Sequence, residues 1–195
     1  MRPLHRANAS RVPGDFSYLR SEVARRLVDR LEDVRQRDFA LALDLGALDG
    51  CVGVELGRED SLSGNGGGIG GVRRLVEVGR TGGARDTGPV ETMRAPGADE
   101  ETLPLPFPDA SFDLVVSSMA LHWVSDLPGT FREVNRVLKP DGAFLVAVPG
   151  GQTLPELRSS LLLAEQERDG GVSAHTGPFV DVASLAAPLS VCRAN

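Results

Sequence analysis

Residues 112–148 read FDLVVSSMALHWVSDLPGTFREVNRVLKPDGAFLVAV, and this stretch decides the fold class. It begins with a short apolar run, Phe112–Ser118, of the kind found in strands that are buried on both faces. Asp126 can cap a helix, and the apolar residues after it recur at helical spacing. A Lys-Pro-Asp-Gly turn at 139–142 leads into a second apolar run, 143–148. This order predicts parallel strands joined by a crossover helix, in an α/β open sheet with helices on both faces.

The chain on either side of this stretch predicts further strands and helices of the same sheet. Apolar residues recur at steps of three and four from Asp15 to Val34, which predicts a helix with one apolar face. The members of that face are Leu19, Val23, Leu27, Leu31 and Val34. The run 39–46 is short, apolar and ended by glycine, so we expect it to be the first strand of the sheet. Weaker patterns at 72–78 and 90–93 indicate a second and a third strand.

After the decisive stretch, the sequence predicts one more helix. Thr153 begins a Thr-x-x-Glu capping box, with Leu157, Leu161 and Ala164 as the apolar face behind it. Residues 182–187 form a further short helical candidate.

Length and composition indicate one globular domain. The chain has 195 residues, 41% of them hydrophobic and 25% charged, which suits a single core. We expect a disordered segment at 1–14, a folded domain over 15–187 and a divergent tail at 188–195. Within the domain, the region 57–97 is expected to be a poorly ordered insertion, because it is rich in glycine and polar residues. A G-x-G-x-x-G match at 66–71 lies inside this glycine run and does not follow a strand, so we interpret it as low complexity.

The composition also argues against several functions. A net charge of −6 disfavours a nucleic-acid partner. The two cysteines are too few for a disulfide framework or a zinc quartet, and the three histidines show no metal-ligand spacing, so no metal is predicted. No apolar run reaches the length of a membrane span. The sequence has neither a G-x-S-x-G elbow nor a P-loop lysine, which argues against a hydrolase and a nucleoside triphosphatase.

The end of the first predicted strand is the first candidate site. It reads Asp44-Leu45-Gly46-Ala47-Leu48-Asp49-Gly50, and Gly46 and Gly50 would let the backbone turn tightly and approach a ligand. In an open parallel sheet, ligands bind beyond the carboxyl ends of the strands. Backbone amides at the start of the following helix could bind a carboxylate or a hydroxyl. An ordinary strand-to-helix turn explains the same glycines equally well.

Two further groups of residues lie near predicted strand ends. Asp99 and Glu100 precede the fourth strand, where a carboxylate can accept from the amino group of a purine, although adjacent acids are commonly a solvated loop. His122 and Trp123 follow that strand directly. They either line the substrate side or act structurally, with Trp123 packed at the strand–helix junction and His122 bonded to the backbone.

These motifs resemble the class I S-adenosylmethionine-dependent methyltransferases. The resemblance rests on Asp44-Leu45-Gly46-x-x-x-Gly50, on 105–118, on Leu121-His122-Trp123 and on 137–142. Further stretches, 16–19, 121–128, 150–158 and 164–171, are similar to a branch of that family: the mitochondrial complex I assembly factors that hydroxylate an arginine. The likeness covers 15–56 and 98–187 well, and 57–97 poorly.

The resemblance implies a doubly wound sheet that binds S-adenosylmethionine. Asp44, Gly46 and Gly50 would border the amino-acid part of this cofactor, and Asp99 with Glu100 would face its adenine. Ser117 and His122 would lie near the reacting end and are the catalytic candidates. The substrate would be an arginine of a complex I subunit, in the mitochondrial matrix at the face of the inner membrane, with peripheral membrane association.

The chain also departs from the family pattern. Leu48 stands where the first motif has its middle glycine, which we expect to weaken cofactor binding. The acid expected near Gly79 is missing, and Glu77 is the nearest substitute for binding the ribose. The family continues with more strands, so we expect a truncated product whose sheet is incomplete at its C-terminal strands and whose exposed fifth strand favours aggregation. These departures motivate an alternative hypothesis, a catalytically inactive adaptor that binds assembly intermediates of complex I.

Overall fold

The computed structural model describes residues 17–34, 38–47, 50–58, 68–79, 87–95, 103–168, 170–171, 181 and 185. Its helices and strands, in chain order, are α1 (Ser17–Asp29), β1 (Leu41–Leu45), α2 (Cys51–Leu56), β2 (Arg74–Val78), β3 (Glu91–Arg94), β4 (Phe112–Ser118), α3 (Leu127–Val137), β5 (Leu138–Ala147) and α4 (Pro155–Arg168). Short 3₁₀ turns occupy Arg30–Asp33, Ile69–Gly71 and Leu121–Trp123.

The five strands form one parallel sheet in the order β3-β2-β1-β4-β5, which confirms the predicted α/β architecture. The chain builds outward from β1 to β3 on one side, and then returns to place β4 and β5 on the other side of β1. The strand order therefore reverses between β1 and β4. In such sheets the ligand crevice lies beyond the carboxyl ends of the strands at this reversal.

The two faces of the sheet are covered by different helices. One face carries Ala42, Leu75 and Leu114, which pack in one hydrophobic core with residues of α1 and α2. Side chains alternate along a strand, so Val115 points to the opposite face together with Phe144, its partner in β5. Phe131 of α3 packs edge-to-face on Phe144, with ring centroids 5.8 Å apart. The sheet is therefore doubly wound, as expected.

The first helix buries a different stripe from the one its spacing predicted. Leu27 and Leu31 are buried as expected, but Leu19 is 48% exposed, and Ala24 and Val28 are buried instead. The α-helix ends at Asp29 and continues as a 3₁₀ turn. The predicted face advances mostly in steps of four residues, and each such step overshoots a helical turn of about 3.6 residues, so the predicted stripe drifts around the helix and Leu19 lies away from the buried side.

The region 57–97 contains more structure than the sequence indicated. β2 and β3 both lie in it and pair in parallel with β1 and with each other. Residues 68–71, taken as part of a flexible insertion, form a turn whose Gly70 carbonyl accepts from the Phe39 amide at 3.0 Å. The expectation of poor order is wrong for 68–79 and 87–95, because these glycines allow close backbone packing that larger residues would block. A Cβ on Gly68 would lie 2.0 Å from the Leu56 carbonyl oxygen.

The predicted turn at 139–142 lies inside a strand. β5 runs continuously over Leu138–Ala147, yet Phe112 pairs with Leu138 while Leu114 pairs with Ala143. The four residues between these pairs therefore bulge out of the ladder, and Asp141 takes a positive φ of 65° there. The Lys-Pro-Asp-Gly sequence therefore forms an irregularity within β5 and does not separate β5 from α3. β5 forms one edge of the described sheet, and its aggregation stays a prediction.

The chain divides into two compact units, Met1–Ala147, which contains the sheet, and Val148–Asn195, which contains α4. Residues 148–187 of the domain expected over 15–187 thus fall in the second unit, and the expectation itself stays a prediction. α4 begins at Pro155 and not at Thr153, because Leu154 adopts a positive φ of 49° that no helix accommodates. None of the residues of α4 is buried. Of the candidate helix at 182–187 the structure describes only Leu185, whose amide donates to the Asp181 carbonyl.

Candidate functional site

The chain leaves β1 through a tight turn that the neighbouring strand holds in place. Gly46 has a φ of 88° and Gly50 a φ of 65°, both in the region that favours glycine. The amides of Gly46 and Ala47 donate to the Val78 carbonyl at 2.7 and 2.9 Å. The end of β2 thus fixes the start of the turn. Leu48, whose side chain was expected to weaken cofactor binding, lies outside the described residues.

A cleft opens beyond the ends of β1 and β4, at the reversal of strand order. Its volume is about 250 Å³, counting its open side. In the described part of the chain it is lined by Arg20, Asp44, Gly46, Ala47, Cys51, Val52 and Ser118. Asp44 and Gly46 are among the predicted cofactor residues, and Gly50 directly precedes two lining residues of α2. The structure therefore brings the first motif to the predicted crevice.

Asp44 is the most unusual side chain in this cleft. It is only 2% exposed, and no residue that the structure describes hydrogen-bonds its Oδ1 atom. Burial raises the pKa of Asp44 well above its ordinary value, and the nearby Glu77 carboxylate raises it further. A buried carboxyl oxygen without a partner costs stability. Such a group, placed against a cleft, can accept hydrogen bonds from a ligand that carries an ammonium group.

Glu77, the acid expected to bind the ribose, lies beside Asp44 in the sheet. It pairs with Asp44 in the β1–β2 register, is 7% exposed, and its Oε1 lies 3.5 Å from where a Cβ on Gly53 would be. Burial raises the pKa of Glu77, while Arg94, its partner in β3, lowers it. Glu77 is not among the described residues that line the cleft. The absent side chain of Gly53 leaves room for this carboxylate under α2, so Glu77 acts on Asp44 and not at the cleft wall.

Gly79, where the family carries its second acid, has no room for a side chain. A Cβ there would lie 2.8 Å from the Ala47 amide nitrogen, and φ is 139°. The end of β2 packs directly on the turn after β1. This close approach explains why glycine replaces the acid at this position.

The two serines at the end of β4 point to opposite faces. Ser117 is fully buried, and its hydroxyl donates to the Leu45 carbonyl at 2.6 Å, which ties β4 to β1. Ser118 lines the cleft, and its buried Oγ has no hydrogen-bond partner among the described residues. Because side chains alternate along a strand, Ser118 shares a face with Val116, the register partner of Asp44. The expectation that Ser117 lies near the reacting end stays a prediction, and of the two serines it is Ser118 that lines the cleft.

His122 and Trp123 lie in the 3₁₀ turn that follows β4. Their rings are 4.9 Å apart between centroids and tilted by 43°, and both side chains are half-buried. They are not among the described residues that line the cleft around Asp44. The structure places this pair one turn beyond Ser118, at the same edge of the sheet.

The loop before β4 is held by one arginine. Arg136 of α3 donates to the Phe107 carbonyl at 2.8 Å and to the Leu105 carbonyl at 3.0 Å. Glu133 accepts from the Leu105 amide, and its ion pair with Arg136 lowers the pKa of the Glu133 carboxyl. This clamp fixes the chain just after Asp99 and Glu100, which themselves lie outside the described residues. Sequence reasoning missed the clamp.

Sequence reasoning also missed Arg20. It lies on α1, and no local motif marks it, because only the packing of α1 on one face of the sheet brings it to the cleft. The anion site expected at the start of α2, a helix of six residues, stays a prediction. Within the described residues no cluster of His, Cys, Asp and Glu is suited to a metal ion.

Comparison with known proteins places the chain in a class. A methyltransferase-domain family matches residues 77–146. The fold also resembles a crystal structure of a putative methyltransferase from Bacillus halodurans, with a TM-score of 0.55, 18% identity, and coverage of 85% of this chain and 67% of that one. Together with the sheet order, these likenesses show a Rossmann-like fold of the class I methyltransferase type.

Within this class, the sequence is similar to particular relatives. It is 44% identical over 175 residues to the mitochondrial arginine-hydroxylase NDUFAF5 of Rattus norvegicus, covering 89% of this chain and 47% of the relative. The corresponding protein of Homo sapiens is 43% identical with the same coverage. The chain is thus similar in sequence to the NDUFAF5 arginine-hydroxylases, and it spans about half of their length. None of the helices in the described ranges is long and apolar enough to cross a membrane.

Proposed function

We propose that the cleft at the ends of β1 and β4 binds S-adenosylmethionine by its amino-acid part. The observation that carries this proposal is the buried Oδ1 atom of Asp44, which faces the cleft without a hydrogen-bond partner in the described chain. An α-ammonium group would supply the missing donors and the opposite charge. Charge-assisted hydrogen bonds of this kind are the stronger ones in proteins.

The form of the cleft is compatible with the same ligand. The cleft is small and open on one side, so it suits one polar end of a larger ligand. The positive φ angles of Gly46 and Gly50 let the backbone approach that end closely. In this proposal Asp99 and Glu100 face the adenine, and Ser118 bonds the ligand through its hydroxyl.

S-adenosylmethionine, when bound, supplies an electrophilic methyl group at its sulfonium centre. The residues of this chain bind and orient it: Asp44 holds the amino-acid end, and the turn after β1 sets its distance from the sheet. His122, at the same edge of the sheet, is the candidate for contact with the reacting side chain, since the Ser117 hydroxyl is already bonded to Leu45.

The proposed substrate is an arginine of a complex I subunit, modified in the mitochondrial matrix at the inner membrane. The support is the similarity to proteins named mitochondrial arginine-hydroxylases, together with the resemblance of the 121–128 and 150–158 stretches to that branch. The modification is either hydroxylation or methylation. These products differ in mass, because one adds an oxygen atom and the other a CH₂ group.

The test has a binding arm and a product arm. Calorimetry with S-adenosylmethionine is expected to give saturable heat for the wild type and none for Asp44→Asn at the same concentrations. Mass spectrometry of complex I subunits from cells with and without the protein is expected to show one modified arginine that Asp44→Asn abolishes. Absence of heat at millimolar ligand would refute the cofactor proposal. Co-purification with a complex I subunit that Asp44→Ala leaves intact, without any modification, would instead establish the adaptor.

A further inference from the structure

One wall of the cleft carries a thiol that the proposed function does not use. Cys51 is the first residue of α2, it lines the cleft, and it is only 8% exposed. Its Sγ atom lies 3.6 Å from the Oγ atom of Ser21 on α1. Within the described residues Cys51 forms no disulfide. A thiol therefore lies where α1, α2 and the cleft meet.

Two other side chains indicate that this cleft receives polar groups of a ligand. Asp44 is 2% exposed, and its Oδ1 atom has no hydrogen-bond partner in the described chain. The same holds for the buried Oγ atom of Ser118, which lines the same cleft. Buried polar atoms without partners cost stability, and a bound ligand removes that cost. Cys51 is thus part of the wall of a ligand site.

The space around the sulfur is limited on the side of the core. Cys51 belongs to the hydrophobic cluster that also contains Ala24 and Leu27 of α1 and Leu56 of α2. A packed core does not accept additional atoms without strain. A group attached to Sγ must therefore extend into the cleft, where it takes space that the ligand needs. Small reagents reach the sulfur by the same route, because so little of Cys51 is exposed.

We propose that Cys51 is a modification site at which a small disulfide forms a mixed disulfide and thereby excludes the ligand from the cleft. The thiolate of Cys51 attacks one sulfur of the reagent, a bond forms between the two sulfurs, and the S–S bond of the reagent breaks. The leaving thiolate takes up the proton that Cys51 released. Cys51 is oxidised and the reagent is reduced, so a thiol reductant reverses the step.

This inference rests on the proposed binding of S-adenosylmethionine and adds a means of regulating that site. The mixed disulfide and the ligand occupy the same space and exclude each other. By thermodynamic reciprocity, a ligand that is weakened by the modification must in turn oppose the modification. The two effects are measured separately, which gives the proposal two independent tests.

The experiment treats the full chain with hydroxyethyl disulfide, a small uncharged disulfide, and follows Cys51 by mass spectrometry of its peptide. S-adenosylmethionine at about ten times its Kd is expected to slow the modification about tenfold, because about one-tenth of the protein then stays unliganded. Calorimetry on the modified protein is expected to show no saturable heat, and dithiothreitol is expected to restore it. Cys51→Ser, whatever its own affinity, is expected to keep that affinity after treatment.

The matched control is Cys192→Ser, which removes the second of the two cysteines and leaves Cys51 in place. This variant is expected to be as sensitive to the reagent as the wild type. No reaction at Cys51, equal rates with and without a ligand that binds, or unchanged affinity after modification would overturn this inference while leaving cofactor binding in place. Absence of S-adenosylmethionine binding to the untreated wild type would refute the proposed function, and this inference with it.

Low concentrations of urea separate reaction through the cleft from reaction of the unfolded chain. The rate through the cleft is expected to stay nearly constant below the unfolding transition. A rate that rises steeply with urea, as the unfolded population does, would overturn the inference. Circular dichroism of the modified protein is expected to show a cooperative melt. Loss of that melt would also overturn the inference, because the ligand would then be lost through unfolding.

Discussion

The two faces of the sheet differ most in how their polar side chains are hydrogen-bonded at the edge where β1 and β4 end. On the face of α3, the polar group is satisfied: the Ser117 hydroxyl donates to the Leu45 carbonyl, and Phe131 packs on Phe144 nearby in the sheet. On the face of α1 and α2, Asp44 and Ser118 each keep a buried oxygen without a hydrogen-bond partner in the described chain. The face of α3 therefore favours stability, whereas the buried oxygens on the face of α1 and α2 lower it. Buried polar atoms that lack hydrogen-bond partners are typical of functional sites.

The largest expected effect lies on the stable face. Phe131 is 1% exposed and packs on Phe144, so Phe131→Ala should lower the free energy of unfolding by about 3–5 kcal/mol. Urea unfolding followed by circular dichroism measures the change. Ligand affinity of the variant, measured at low temperature where it stays folded, should match the wild type. A loss below about 1 kcal/mol would show that the α3 face is not the packed one.

The next largest loss of stability is expected at Ser117, whose hydroxyl is hydrogen-bonded on that face. Ser117→Ala removes the donor to the Leu45 carbonyl inside the sheet and should cost about 1–3 kcal/mol of unfolding free energy. The same urea titration measures it. Unchanged stability together with lost ligand affinity would reverse the assignment and return Ser117 to the site.

Asp44→Asn should act in the opposite direction on stability. Asparagine carries no charge and needs no proton when buried, so the variant should gain about 0.5–2 kcal/mol at neutral pH while losing ligand binding. A melting curve and a titration on the same sample check both. A variant that is less stable than the wild type would show that Asp44 has a structural partner.

The same residue predicts the sign of a pH dependence. The pKa of Asp44 is higher in the folded than in the unfolded chain, so the folded state binds more protons between the two values. The contribution of Asp44 to stability should therefore be fullest below about pH 4, the ordinary pKa of an aspartate, and be lost as pH rises through the folded value. Glu77, whose pKa is also raised, adds in the same direction. The difference between wild-type and Asp44→Asn melting temperatures should widen as pH rises, and a constant difference would contradict the account.

The smallest effect on stability is expected at Ser118. Its hydroxyl has no partner to lose in the described chain, so Ser118→Ala should change the free energy of unfolding by less than about 0.5 kcal/mol. Affinity for S-adenosylmethionine should fall by about twofold to tenfold, the worth of one neutral hydrogen bond. Set beside Ser117→Ala, this variant compares two adjacent serines on the two faces. Equal destabilisation by Ser117→Ala and Ser118→Ala would show that the two faces do not differ in this way.

The sequence predicts the α/β sheet and the strand that carries the site, because these features depend on residues that are close together in the sequence. The apolar run Phe112–Ser118 matches β4 residue for residue, and Asp126 caps α3 by accepting from the Gly129 amide. The motif from Asp44 to Gly50 points to the correct crevice through general rules of parallel sheets.

The features that the sequence does not predict depend on packing between distant elements. Arg20 reaches the cleft through the packing of α1 on one face of the sheet, and Glu77 lies under α2 because Gly53 leaves space there. Strand alternation alone separates Ser117 from Ser118, but choosing between them requires the register of β4 against Asp44. Local spacing cannot supply that register.

Hydrogen–deuterium exchange with and without S-adenosylmethionine tests the central claim most directly, since it reads both faces of the sheet at once. The account predicts that the ligand slows amide exchange in residues 17–24, 44–52 and 116–120, and leaves α3 at its unliganded rate. Protection confined to α3, or no protection at a ligand concentration that saturates binding, would contradict the claim that the Asp44 face carries the site.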